Sequence, residues 1–266
     1  GKSVLWRDKM RQWLVSLIVA FQFLTRLPIP VLVEYDKRYV SRSVLFYPVV
    51  GFVIGSILYL ASLALPPGAA PLHAAVLLLL WTLLTGGLHL DGLMDTADGL
   101  GSHRPRELML AIMKDSRVGA MGVLAAFFVL LIKWASLWTL LDRVEQGTLS
   151  GSLLLTLLLT VPAVSRGAMV AAIIRRPYIG GEQGMGGLFR DAHAGYLAGA
   201  LLLLLFPFIL RPSFGWLGLF GVQAAAAWLF VRHCVRRLGG LTGDTYGALN
   251  ELAETAGLLA AVYISF

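Results

Sequence analysis

The chain has 266 residues, of which 58% are hydrophobic and only 14% charged, and its net charge is +7. So little charge, with a mean hydropathy of +0.76, excludes an ordinary soluble domain and points to a polytopic membrane protein in a lipid bilayer. The basic excess does not argue for nucleic acid, because Lys and Arg gather in particular loops between apolar runs.

The first residues are basic, with Lys2, Arg7, Lys9 and Arg11 ahead of an apolar run from Trp13 to Leu27. That run stops at Arg26 and Pro28-Ile29-Pro30, short of the roughly 20 residues a span needs. It reads as an interfacial or re-entrant helix, and without a small-residue cleavage site it does not read as a removable signal peptide. Val44 to Leu65 is the first span, with Gly51 and Gly55 spaced for close helix contact. Leu72 to about Asp91 returns and delivers an acidic motif. Val118–Leu140, Leu153–Ile174, Tyr196–Leu210, Trp216 to about Val231, and Tyr246–Phe266 complete the set. The expected fold is all-α: one integral membrane domain over 1–266, a polytopic membrane helix bundle of about seven transmembrane helices plus the N-terminal helix. The lone Cys234 excludes an internal disulfide.

Seven spans put residues 1–42, 99–117, 175–193 and 232–245 on one side, with eighteen of the 22 Lys and Arg. The positive-inside rule makes that side cytoplasmic. It also holds most of the unusual polar residues. Asp91, Asp95 and Asp98 lie at i, i+4 and i+7, one face of a helix. Like charges on an apolar helix repel and resist leaving water, so the arrangement calls for a cation. Carboxylate oxygens at this spacing suit Mg²⁺, which shares its shell with substrate phosphates.

In Lys114-Asp115-Ser116-Arg117, Asp115 could complete the metal shell, while Lys114 and Arg117 could hold phosphate oxygens. The glycine-rich stretch 178–187, with Gly184 and Gly186, could offer backbone N–H groups to a phosphate, admit a large ligand, or simply connect. Asp244 stands at a helix start, where capping is the default role, and Glu251 falls on its face seven residues on. Arg166 inside a span requires a partner in the bundle or an anionic ligand, whereas Lys133 can snorkel and is given no role. His89 is a lesser candidate beside the motif. The chemistry these groups suit is phosphoryl-type transfer with a divalent metal.

Leu88-His89-Leu90-Asp91-Gly92 through Asp98-Gly99, then Met113-Lys114-Asp115-Ser116-Arg117-Val118-Gly119 and Gly243-Asp244-Thr245, resemble the cobalamin synthase family. Phe23-Leu24-Thr25-Arg26-Leu27-Pro28 and Tyr47-Pro48-Val49-Val50-Gly51 resemble it too. The resemblance implies a Mg²⁺-dependent enzyme of the bacterial inner membrane, active at the cytoplasmic face. It would join adenosylcobinamide-GDP to α-ribazole or α-ribazole 5′-phosphate and release GMP. Asp91, Asp95, Asp98 and Asp115, with Asp244, would hold Mg²⁺, and one of these carboxylates would take the ribazole hydroxyl proton. Lys114, Arg117 and Arg166 would hold the diphosphate, with Ser116, Gly184 and Gly186 also at the substrate. A homo-oligomer is left open. A CDP-alcohol phosphotransferase is the nearest alternative, but Asp98-Gly99 is followed by Leu100-Gly101-Ser102-His103 rather than that family's pattern. A prenyltransferase would need a second Asp-rich motif, and a transporter would be expected to show two related halves.

Overall fold

The structure is a computed structural model that describes residues 2–181 and 184–266. Every regular element is helical, and the only strand-like contact among the described residues is one parallel bridge, Tyr178 to Leu241. In chain order the helices are α1 (Lys2–Leu24), α2 (Lys37–Ser43), α3 (Tyr47–Ala64), α4 (Ala70–Thr85), α5 (Leu88–Gly101) and α6 (Arg106–Lys114). Then follow α7 (Ala120–Glu145), α8 (Gly151–Arg175), α9 (Ala194–Leu203), α10 (Phe206–Leu210), α11 (Gly215–Leu238) and α12 (Gly243–Tyr263).

Four helical stretches are long and apolar enough to cross a membrane: 37–64, which joins α2 to α3, and α7, α8 and α11. A fifth counts if α4 and α5 form one broken span. The seven expected spans are therefore not all present as such. The segment expected at 196–210 belongs to a short apolar stretch, Ala194–Leu210, broken between α9 and α10. The last helix has the length, but Asn250, Glu251 and Glu254 make it too polar to qualify. Helix α1 also falls outside the set, as its Arg7, Asp8, Lys9 and Arg11 require.

Helix α8 is the centre of the bundle, with 83% of its apolar window buried against 44%, 33% and 28% for the other three. Helix α3 packs on it through Gly51 and Gly55, as the small-residue spacing predicts. A Cβ on Gly51 would lie 2.5 Å from the Ala163 Cα, and one on Gly55 would run into the Leu158 carbonyl. Pro162 sits four residues after Leu158 and has no N–H to bond that carbonyl, so the glycine approaches where the helix ladder is open.

The acidic motif does not ride on the end of the second span. Gly86 and Gly87 both take positive φ, 64° and 68°, end α4 at Thr85 and turn the chain by 88° into α5. Leu88 and Leu90, which follow, carry the apolar run past this break and hide it from a hydropathy reading. Helix α5 then lies against α12, backbone to backbone. A Cβ on Gly92 would stand 2.6 Å from the Asp244 carbonyl oxygen, and one on Gly247 would stand 3.1 Å from the His89 Cα. These two glycines let the N-terminal turns of α5 and α12 meet.

Candidate active site

Where α5 meets α12, Asp91, Asp95 and Asp244 each offer a carboxylate oxygen, all within 4.8 Å of one another. Asp91 is exposed and the other two half-buried, so the group is open to solvent and could hold a divalent cation. Asp244 is free to join because it is not the cap. Thr242 caps α12 in a reciprocal box with Thr245. The default role assigned to Asp244 by position is thus taken two residues earlier.

Three carboxylates this close cannot all ionise cheaply without a counter-cation. Burial pushes Asp244 up from the ordinary 3.8 to about 7, and the charge of Asp95, a hydrogen bond shared with it, and the charge of Asp91 add to the effect. A proton and a cation therefore compete for the same oxygens. The sign follows directly. A carboxyl whose folded value is raised costs stability as pH rises from about 4 to about 7 in cation-free protein, and a bound divalent ion removes that cost. Metal affinity should weaken as pH falls below about 7, approaching tenfold per unit for one displaced proton. Calorimetry in buffers of different ionisation enthalpy should count close to one proton released per ion at pH 6 and almost none at pH 8.5.

Asp98 and Asp115, expected in the same shell, lie outside this three-carboxylate group. Asp98 accepts the Gly119 and Gly122 N–H groups, both at 2.7 Å, and so caps α7 from a neighbouring helix. Cβ atoms at either glycine would crowd its oxygens at 2.7 Å, so the glycines serve this anchor. Asp115 accepts from the Arg117 backbone at 2.9 Å and from its guanidinium at 2.7 and 3.1 Å. Those bonds hold Asp115 down at about 2 and leave it committed to Arg117.

Asp91 and Asp244 also line a cavity of about 620 Å³. Its walls include Phe23, Tyr47, Met113, Met169, Phe189 and Tyr246, and two cations, Arg26 and Lys114. Gly184 and Gly186 are at its edge, on a segment held to the start of α12 by Ile179 N–H to Leu241 O and Leu241 N–H to Pro177 O, both 2.8 Å. These glycines make room for the Tyr178 ring, which a Cβ at either would strike. Burial raises the Tyr178 phenol, and the Asp244 charge raises it further. Glu182 and Gln183, in the same stretch, lie outside the described residues. Ser116 is exposed beside Arg117 and does not line the cavity.

Arg166 does not line the cavity either. It is fully buried, and its Nη1 donates to Glu254 at 3.1 Å and to the Pro162 carbonyl at 3.0 Å. Of the two partners the sequence allows, the structure supplies the bundle-interior one at Nη1, while the Arg166 Nε and Nη2 meet no hydrogen-bond partner among the described residues. Lys133, given no role, is 2% exposed, donates to Glu251 at 2.6 Å and Glu254 at 3.3 Å, and lies over the Trp81 ring. Glu251 faces this network rather than the cavity. The residue not assigned to the site from the sequence is Arg26, which appears there as a cation closing an apolar run before two prolines and within the family-like stretch 23–28.

Comparison with known proteins gives the family of the chain. Residues 16–262 match the family model described as cobalamin-5-phosphate synthase. The chain is 44% identical over 248 residues to an adenosylcobinamide-GDP ribazoletransferase of Pseudomonas putida strain GB-1, covering 92% of this chain and 98% of that one. It is 44% identical over 241 residues to the protein of that name from Desulforamulus reducens, covering 90% and 93%. With that of Brevibacillus brevis it shares 40% over 256 residues, covering 93% and 97%. No solved structure matches. A family model spanning nearly the whole chain, and relatives matched almost end to end, leave one assignment: the chain belongs to the cobalamin-5-phosphate synthase family of transferases.

Proposed function

We propose that this protein is a Mg²⁺-dependent membrane transferase that condenses adenosylcobinamide-GDP with α-ribazole or its 5′-phosphate and releases GMP. The observation that carries the reading is the meeting of Asp91, Asp95 and Asp244, from helices some 150 residues apart in sequence, at a cavity that also presents Lys114. The names of the relatives supply the substrates. The donor set is all carboxylate and accessible from solvent, which suits a hard ion such as Mg²⁺.

In the reaction the acceptor hydroxyl oxygen bonds to the phosphorus that carries the corrinoid, the anhydride bond to GMP breaks, and the hydroxyl proton is released. A bound Mg²⁺ would neutralise charge on the anhydride oxygens. Asp91, the most exposed of the three carboxylates, faces the cavity and receives the hydroxyl proton. Lys114 holds diphosphate oxygens as a point charge at the cavity wall; Arg117, paired with Asp115 and outside the cavity lining, is the second cation for them three residues ahead of α7. Asp98 acts through the backbone, fixing that end of α7 to α5. The excess of Lys and Arg in the loops on this side supports placing the site at the cytoplasmic face of a bacterial inner membrane.

The test uses purified full-length chain in detergent with adenosylcobinamide-GDP, α-ribazole and Mg²⁺. GMP and a cobalamin product should appear in equal amounts and stop on chelation of the metal. Absence of GMP with Mg²⁺ present would overturn the reading.

A further inference from the structure

The proposed reaction leaves one cation at the cavity without a task. Arg26 lines it but has no ion pair or side-chain hydrogen bond among the described residues. Its placement is nevertheless specific. The Arg26 N–H donates to the Leu84 carbonyl at 2.7 Å, which ties the end of α1 to the end of α4. Its side chain lies on Gly86, where a Cβ would stand 2.5 Å from Nε and 2.6 Å from Cγ. Glycine at 86 therefore serves twice, taking the positive φ of the turn and giving the guanidinium stem its seat.

That turn opens α5, and Asp91 is in the first turn of α5, its N–H bonded to the Gly87 carbonyl at 2.9 Å. So Arg26 lines the cavity from the α1 and α4 side, while Lys114 lines it from the end of α6. Two cations on different walls suit two anionic groups on two substrates. The anhydride is provided for by Lys114, Arg117 and the metal site. A cavity of about 620 Å³ takes a ligand of nucleotide size and not a corrinoid macrocycle as well. Resting on the transferase reading, we propose that Arg26, seated on Gly86, binds a phosphomonoester on the acceptor nucleoside and sets the preference for the phosphorylated acceptor over the free one.

Steady-state kinetics on the full chain, with α-ribazole 5′-phosphate and α-ribazole as alternative acceptors, test this. The wild type should favour the phosphorylated acceptor. Arg26→Ala should cut the ratio of the two kcat/KM values about 10- to 100-fold, with the loss in KM for the phosphorylated acceptor. Arg26→Lys keeps the charge without the fork and should fall between. Arg26 is exposed, so neither change opens a hole in the bundle. Gly86→Ala displaces the side chain without deleting it and should move the ratio the same way. An unchanged ratio in Arg26→Ala, or a loss confined to the KM for adenosylcobinamide-GDP, overturns the proposal. A wild type that releases no GMP with either acceptor overturns the transferase reading instead.

Discussion

Asp95→Asn should reduce GMP release on the order of 10³-fold, since carboxylate-held metal at a developing charge is worth several kcal/mol of barrier. The same substitution should leave the metal-free protein as stable as the wild type or more so, because it removes one of three crowded negative charges. An enzyme that loses activity while its cation-free melting temperature holds or rises has lost a ligand, not its fold. Asp98→Asn gives the opposite pattern. Asp98 serves the N-terminus of α7 through two N–H bonds, so its replacement should cost about 1–2 kcal/mol of stability and far less than 10³ in turnover at temperatures where the protein stays folded. Measuring Mg²⁺ dependence, turnover and thermal stability on both variants separates the two acids. Equal losses of activity with equal losses of stability would show that the three-carboxylate grouping is not the catalytic set.

How far the site was legible in the sequence depends on what kind of information each residue carries. Periodicity puts Asp91, Asp95 and Asp98 on one helical face, and that much is local. Which of them meets Asp244 depends on how α5 crosses α12, and that crossing is set by glycines at 92 and 247, whose meaning appears only once the partner backbone is present. Asp98 falls one step further along, over the start of α7, and is used there. The bend at Gly86-Gly87 was invisible to hydropathy because apolar residues continue on both sides, yet two consecutive glycines before an acidic helix are a turn signal in their own right. Arg166 was legible as costly, and its requirement for a partner was met by Glu254. Charge pairing inside the spans could have found the rest: Lys133 and Arg166 stand against Glu251 and Glu254, two of each sign. Snorkelling was the wrong default for Lys133 because the residue faces α12 and not lipid.

Glu254→Gln should be the most destabilising of the conservative substitutions in this network, costing about 3–5 kcal/mol. Its two oxygens serve three donors: Oε1 accepts from Lys133 at 3.3 Å and Asn250 at 3.0 Å, and Oε2 accepts from Arg166 at 3.1 Å. Removing its charge leaves two cations facing one carboxylate, and Arg166 is left with no acidic partner among the described residues. Glu251→Gln should cost less, because Lys133 keeps Glu254. The decisive comparison is Arg166→Met combined with Glu254→Gln, which removes one charge of each sign and preserves the Lys133–Glu251 pair at 2.6 Å. If the cost of the single changes is mainly an uncompensated charge in the bundle interior, the double variant should be more stable than Glu254→Gln alone, with a coupling of at least about 1 kcal/mol in the cycle. Thermal unfolding of the wild type, Glu254→Gln, Arg166→Met and the double variant in one detergent measures it. Additive losses would mean instead that each side chain contributes through packing alone. The result bears on function because Glu254 and Asp244 share α12: the ion pairs that fix this helix against α7 and α8 also fix the rotation at which its first turn meets Asp91 and Asp95.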